Sequence, residues 1–163
     1  MKRLIFSLTA CLLSMPVSAA DDVGAKQDFA QKASMSNMFE IEAAKIEISK
    51  GRAVDAKQFA QDMLRDHGRA APPLAEAAKG DGVTVSQSLD AEHQQKLDAL
   101  RDSDAANLDQ AYLSTQVTAH QQVYQLFEGY SKEGPDGPLK IAAAKMLPDL
   151  HMHLTRVQGM ANK

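Results

Sequence analysis

The stretch FAQDMLRDH, Phe59–His67, carries the pattern from which the fold is predicted. In an α-helix, with about 100° of rotation per residue, His67 lies near the middle of an apolar face formed by Phe59, Met63, Ala70, Leu74 and Ala77. A histidine directed into an apolar core needs a polar partner there, because a buried polar group without a hydrogen bond costs roughly 1–3 kcal/mol. The sequence therefore predicts an amphipathic helix whose neighbours supply such partners.

The chain after about residue 20 has the same helical character. It is rich in Ala, Leu, Lys, Gln and Glu, and no stretch alternates apolar and polar residues as a strand does. Long helices are predicted over about 22–50, over 55–79 (with Asp55 and Gln58 as a capping box), from Asp104 to 133, and from Asp136 and Pro138 onward, with a short helix over 90–101. This pattern predicts an all-α, antiparallel four-helix bundle, with the short helix between the second and third long helices.

Prolines fall inside two of these helices, at Pro72, Pro73 and Pro148. Because proline removes a backbone hydrogen bond, we expect each helix to be interrupted there. The interruption has two interpretations: a kink that bends the bundle around its core, or freed carbonyl groups that line an interior site.

The first twenty residues have the features of a cleaved signal peptide. Lys2 and Arg3 precede an apolar run, and the small residues of Val17-Ser18-Ala19 or Ser18-Ala19-Ala20 predict cleavage before Ala20 or Asp21. The apolar run is too short for a permanent transmembrane helix. We therefore expect export to the periplasm and one domain over residues 21–163. The alternative is a lipobox, Leu8-Thr9-Ala10-Cys11, which would leave the protein lipid-anchored at Cys11.

Composition narrows the range of partners. Without Lys2 and Arg3 the chain has 16 basic and 21 acidic residues, a net charge near −5, and no basic cluster remains. Nucleic acid is therefore not an expected partner, and the mature chain has no transmembrane segment. The single cysteine, Cys11, lies in the signal peptide, so the core must stabilise the fold without disulfides.

Several polar residues are predicted to point inward from the four long helices. This inward polar cluster consists of Glu40, Asp66, His67, Asp109, Gln116, His120 and His153, with Asn37 near the centre of the first apolar stripe. One interpretation is a structural hydrogen-bond network; the other is a transition-metal site formed by Glu40, His67, His120 and His153. No Glu-x-x-His occurs in the chain, so a standard di-iron carboxylate site is not expected.

Four stretches resemble the family called domain of unknown function 4142. They are MFEIEAAKIEISKG (38–51), FAQDMLRDH (59–67), LDQAYLSTQVTAHQ (108–121) and LPDLHMHL (147–154). The resemblance implies an exported bacterial envelope protein with a ferritin-like helical bundle. It places Glu40, Asp66, His67, Asp109, Tyr112, His120, Pro148 and His153 at the family's characteristic positions. GRAAPPL (68–74) departs from the family, which has no proline pair there, so we expect a broken second helix.

The resemblance implies no biochemical activity, so two functions are expected from the residues. The first is a non-enzymatic envelope protein, related to stress or to an envelope partner, whose inward cluster is structural. The second is a metal-binding or redox bundle that holds copper, zinc or iron. Catalysis by a nucleophile has no support, because the mature chain has no cysteine and no serine in a nucleophile-elbow motif.

Overall fold

The computed structural model describes residues 19–162, which are helical and contain no strand, so the predicted all-α class is confirmed. The helices are α1 (Ala19–Lys50), α2 (Val54–Gly80), α3 (Ala91–Asp102), α4 (Leu108–Glu133) and α5 (Pro138–Ala161). Apart from residues 19 and 20, which begin α1, the predicted signal peptide lies outside the described residues, as does Cys11 of the alternative lipobox. No helix in the described part of the chain has the length and apolar character that crossing a bilayer requires.

The four long helices pack in a ring. α1 packs along α2 and α4 along α5, while α1 also contacts α4 and α2 contacts α5; the short α3 lies against α1 and α4. Near the start of α1, Phe29 stacks on Tyr130 of α4 at 3.8 Å between ring centroids, and Lys26 contacts Asp81 at the end of α2 at 2.6 Å. The start of α1 therefore meets the ends of α2 and α4.

Asp81 joins three segments at this end of the molecule. Its carboxylate accepts hydrogen bonds from Lys26 Nζ at 2.6 Å and from the Leu139 N–H in the first turn of α5 at 2.8 Å. A negative charge at a helix N-terminus is favourable. Gly137 approaches so closely that a Cβ there would collide with the Asp81 carboxylate, which is why the turn before α5 requires glycine.

A polar layer crosses the middle of the apolar core. One apolar cluster includes Phe39, Met63, Leu113 and Val157, and the other includes Ala33, Leu74, Val123 and Leu150. On each long helix, buried polar residues fall between the two clusters in sequence: Asn37 on α1, His67 on α2, Gln116 and His120 on α4, and His153 on α5. The fold thus brings polar side chains from all four long helices to one level.

The prediction that proline interrupts the helices is wrong. α2 continues through Pro72 and Pro73, and α5 through Pro148. The carbonyl groups that lose a donor belong to Gly68, Arg69 and Ala144, all at exposed positions. Because water can bond to exposed carbonyls, each helix tolerates its prolines, and these carbonyls do not line an interior site.

Two predicted helix starts are also wrong. α2 begins at Val54, and Asp55 accepts only the N–H of Ala56, so the capping box with Gln58 does not form. α4 begins at Leu108, because the Asp104 carboxylate instead accepts the N–H groups of the turn that precedes the helix, those of residues 106 and 107.

Candidate functional site

Three buried histidines from three helices form the centre of the polar layer. His67 of α2 is 6% exposed, His120 of α4 is 0% exposed and His153 of α5 is 4% exposed. Their ring centroids form a nearly equilateral triangle, with sides of 5.7, 5.7 and 5.5 Å. One nitrogen of each ring lies within 4.8 Å of one nitrogen of each of the other two. We call these three residues the histidine triad.

One nitrogen of each ring is engaged by a hydrogen-bond acceptor. His67 Nδ1 lies 3.0 Å from Asn37 Oδ1, and His120 Nδ1 lies 3.1 Å from the Gln116 carbonyl oxygen. His153 Nε2 lies 3.3 Å from Asp66 Oδ2. Because these oxygens only accept, the ring nitrogen facing each of them carries the hydrogen. The tautomer of every ring in the triad is therefore set by its surroundings.

The other nitrogen of each ring has no partner. Within residues 19–162, His67 Nε2, His120 Nε2 and His153 Nδ1 are buried and form no hydrogen bond. With the hydrogen held on the opposite nitrogen, each of these three atoms presents a lone pair. Leaving such an atom unpaired in a protein interior costs roughly 1–3 kcal/mol. Three lone pairs, one from each of three helices, are therefore unpaired inside the core.

Burial keeps the triad neutral. It lowers the pKa of His67 well below the ordinary value of 6.5, and the neighbouring His120 and His153 lower it further. It also lowers the pKa of His120 to about 4, against the opposing effect of the Gln116 carbonyl. Burial and His120 lower the pKa of His153, although Asp66 opposes them. Neutral imidazole is the form that binds metal ions.

Glu40 lies beside the triad but not among its free nitrogens. The carboxyl group accepts a hydrogen bond from Gln116 Nε2 at 2.5 Å, and its other oxygen lies 3.6 Å from His120 Nδ1, the engaged nitrogen of that ring. Burial raises the pKa of Glu40 to about 8, although the Gln116 hydrogen bond acts in the opposite direction. Glu40 is therefore neutral at pH 7, and the group of converging nitrogens contains no carboxylate from residues 19–162.

Asp109 does not join the inward cluster, contrary to the sequence prediction. Its Oδ1 accepts the N–H groups of Arg52 and Ala53, at 2.8 and 3.1 Å, just before α2 begins. Burial opposes its ionisation, but the neighbouring Glu47 carboxyl group and the hydrogen bonds from these two N–H groups outweigh that effect and lower the pKa of Asp109. Asp109 is a capping residue at one end of the molecule, away from the triad.

Sequence reasoning underestimated two residues. Asn37 was placed in an apolar stripe without a role, yet it fixes the His67 tautomer. On a helical wheel Glu47 lies further round α1 than the apolar stripe, where it could support the inward polar cluster or be solvated. In the structure Glu47 is completely buried, and neither of its carboxyl oxygens has a hydrogen-bond partner within residues 19–162. Burial, reinforced by Asp109, raises the pKa of Glu47 to about 8. One feature of the sequence that fits the burial of Glu47 is Gly51, one turn further along the chain. A Cβ at this position would collide with the Glu47 carboxyl group.

Tyr112, which the resemblance placed at a characteristic position, is also fully buried, and its hydroxyl has no partner in the described region. Burial and the carboxyl groups of Glu40 and Glu47 raise the pKa of Tyr112 well above its ordinary value. Its hydroxyl therefore stays protonated at physiological pH.

Comparison with protein families places this chain in a known family. The model described as "Domain of unknown function (DUF4142)" matches residues 13–160. The chain belongs to the DUF4142 family. No curated protein and no solved structure matches it. Every residue of the triad in this DUF4142 chain lies within the matched range, as do Asn37, Glu40 and Asp66.

Proposed function

We propose that this DUF4142 protein binds one transition-metal ion through His67, His120 and His153. The observation that supports this function is the convergence of three neutral imidazoles whose second nitrogens are each held by an oxygen acceptor. This is the arrangement of metal-binding histidines, in which an outer hydrogen bond fixes the tautomer and orients the ring. Imidazole suits zinc, copper, iron and nickel, whereas calcium and magnesium prefer oxygen ligands.

The structural hydrogen-bond network, the other interpretation of the inward polar cluster, is the less well supported function. A network whose only role is stability gains nothing from leaving three buried nitrogens unpaired, since each reduces the free energy of unfolding by roughly 1–3 kcal/mol. Bonds of about 2.0–2.1 Å to one ion would draw the three rings together and satisfy all three nitrogens. The di-iron alternative fits poorly, because such sites need several carboxylates among the ligands.

The proposal also includes a ferritin-like fold and a periplasmic location. α1, α2, α4 and α5 act as an antiparallel four-helix bundle of the ferritin-like type, supported by the end-to-end contacts that Lys26, Phe29 and Asp81 make. The apolar N-terminal segment and its small-residue cleavage pattern support export to the periplasm with loss of residues 1–20. An N-terminal mass that showed an acylated Cys11 would instead place the protein on a membrane.

The test is metal binding by protein purified from the periplasm without a histidine tag. We expect one Zn²⁺ or Co²⁺ per chain by elemental analysis and calorimetry. The variants His67→Gln, His120→Gln and His153→Gln should each bind at least about tenfold more weakly, because each removes one ligand. His151→Gln is the matched control, since His151 is exposed on the same helix as His153. Wild-type protein without stoichiometric metal under replete conditions would overturn the proposal.

A further inference from the structure

A small cavity lies against the triad. It has a volume of about 60 Å³. Its polar lining residues are Asn37, His67, His153, Asp66 and Asp149, and the rest of the wall is apolar, with side chains from all four long helices, among them Ala33, Ala70, Leu74, Val123 and Leu150. A water molecule needs about 10–15 Å³ measured in this way. By this measure the cavity has room for about four to six water molecules, so a molecule of two or three non-hydrogen atoms fits inside it.

The triad leaves a metal ion with an open coordination position. Three histidines supply three of the four ligands that a tetrahedral ion takes, and sites of this kind complete the set with water or an external molecule. Glu40 faces the engaged nitrogen of His120, and no described carboxylate joins the converging nitrogens. Among the histidines, cysteines and carboxylates of residues 19–162, none joins the three, so the fourth position is open to water or an external molecule.

We infer that the metal centre binds a small, weakly hydrated ligand of two or three atoms, such as azide or a diatomic gas, in this cavity. The inference rests on the proposed metal site and names the ligand class of that site. Apart from Asn37, the two histidines and the carboxyl groups of Asp66 and Asp149, the wall is apolar and gives water few hydrogen bonds, so it favours a ligand that loses little hydration on entry. Asn37 uses its side-chain oxygen for His67, so its amide NH₂ remains as a donor on the cavity wall.

The experiment uses Co²⁺-loaded protein titrated with sodium azide and followed by visible absorption. We expect a saturable change in the cobalt spectrum of the wild type. Ala70→Leu fills the cavity from α2 without touching a ligand, so it should keep one cobalt per chain and bind azide at least about tenfold more weakly. Ala144→Leu is the matched control, because Ala144 is exposed and does not line the cavity. If Ala70→Leu does not fold, Val123→Leu narrows the same space from α4.

The outcomes separate the two proposals. Cobalt that binds to the wild type without any response to azide would overturn the ligand inference and leave the metal site standing. Equal azide affinity in the wild type and the folded cavity variant would also overturn it. A wild-type protein that binds no cobalt would overturn the metal site and the ligand inference together.

Discussion

The histidines of this chain differ in role according to the hydrogen-bond partner of one ring nitrogen, because that partner determines whether the other nitrogen is free. In His67 and His120 the nitrogen without a partner is Nε2, because the Nδ1 atoms face Asn37 and the Gln116 carbonyl. In His153 it is Nδ1, because Nε2 faces Asp66. His151, two residues earlier than His153 on α5, is exposed. The role of each histidine therefore depends on its hydrogen-bond partners more than on its residue type.

Glu47 provides a prediction at this scale. Its folded pKa of about 8 is above its ordinary value of 4.5, so the folded protein holds a proton there that the unfolded chain releases between these values. Stability from this group is thus fully present below about pH 4.5 and lost as pH rises toward 8. Glu47→Gln, which cannot ionise, should exceed the wild type in stability by about 1–3 kcal/mol at pH 9 and much less at pH 5.

Urea unfolding of the wild type and of Glu47→Gln at the two pH values measures this difference. Glu42→Gln is the control, because the Glu42 side chain is 41% exposed on the same helix and pairs with Lys45. A Glu47→Gln effect that is the same at pH 5 and pH 9 would contradict the buried, protonated state of Glu47.

Helical periodicity predicts which side chains point inward but not which of them meet. It correctly singled out His67, Gln116, His120 and His153 as buried. It failed for Asp109 because the angle around a helix does not include height along it: Asp109 lies eleven residues before His120, about 16 Å along the axis. Which nitrogen of each histidine is free could not be predicted at all, since that depends on contacts between helices.

Helix boundaries were predicted best where a glycine or a proline marks the end or the start of a helix. Gly51, Gly134 and Pro138 mark ends and starts that the structure reproduces. The start of α2 was misassigned because its cap comes from another helix: the Asp109 carboxylate on α4 accepts two N–H groups just before α2 begins. A cap that reaches across from a distant segment leaves no local sequence signal.

The hydrogen bonds that Asp109 accepts predict that it contributes more to stability than Asp55 does. Asp109→Ala should reduce the free energy of unfolding by about 1–2 kcal/mol, because it leaves two N–H groups uncapped. Asp55→Ala should have a smaller effect, since Asp55 bonds only to the N–H of the next residue. Urea denaturation of both variants at pH 7 measures the difference, and Asp109→Asn, which keeps an acceptor oxygen, should fall between wild type and Asp109→Ala. A larger loss for Asp55→Ala than for Asp109→Ala would restore the capping box as the start of α2.

For the molecule as a whole, the buried polar layer sets how stability depends on pH. The three histidines of the triad have lower pKa values in the folded protein than the ordinary histidine value of 6.5. Below pH 6.5 the unfolded chain therefore binds more protons at these histidines than the folded protein does, so acid favours unfolding. Glu40 and Glu47 have raised values of about 8, so stability is also lost as pH rises from 4.5 toward 8. Below about pH 6 the three unfolded histidines hold more protons than the two folded carboxyl groups, and above about pH 6.5 the carboxyl protons predominate.

The metal-free protein should therefore be most stable near pH 6.5. Denaturation curves measured in chelator from pH 5 to pH 8.5 should show this maximum, with a loss of stability on both sides. The Asp residues with lowered pKa values, Asp62, Asp90, Asp104 and Asp109, act at lower pH. Stability that rises steadily from pH 6.5 to pH 8 would show that Glu40 and Glu47 are ionised in the folded protein.

The last prediction concerns how a metal ion joins α2, α4 and α5. Zinc at a free concentration of 100 times its dissociation constant should stabilise the folded protein by about 2.7 kcal/mol, which raises the Tm by about 5–10 °C. Exposed histidines with ordinary pKa values lose zinc below about pH 6.5. The triad should not, because burial keeps its rings neutral: the pKa of His120, for example, is about 4. The rise in Tm should thus persist at pH 5.5.

Scanning calorimetry with and without zinc at pH 7.5 and pH 5.5 measures both effects. His120→Gln should abolish the rise at both pH values, because it removes one of three ligands, whereas His151→Gln should leave it unchanged. If the rise at pH 7.5 disappeared at pH 5.5, or if it depended on His151, zinc would be bound by exposed histidines outside the core. Persistence at pH 5.5 together with loss in His120→Gln requires an ion held inside the core, where it ties three helices together at the level of the polar layer.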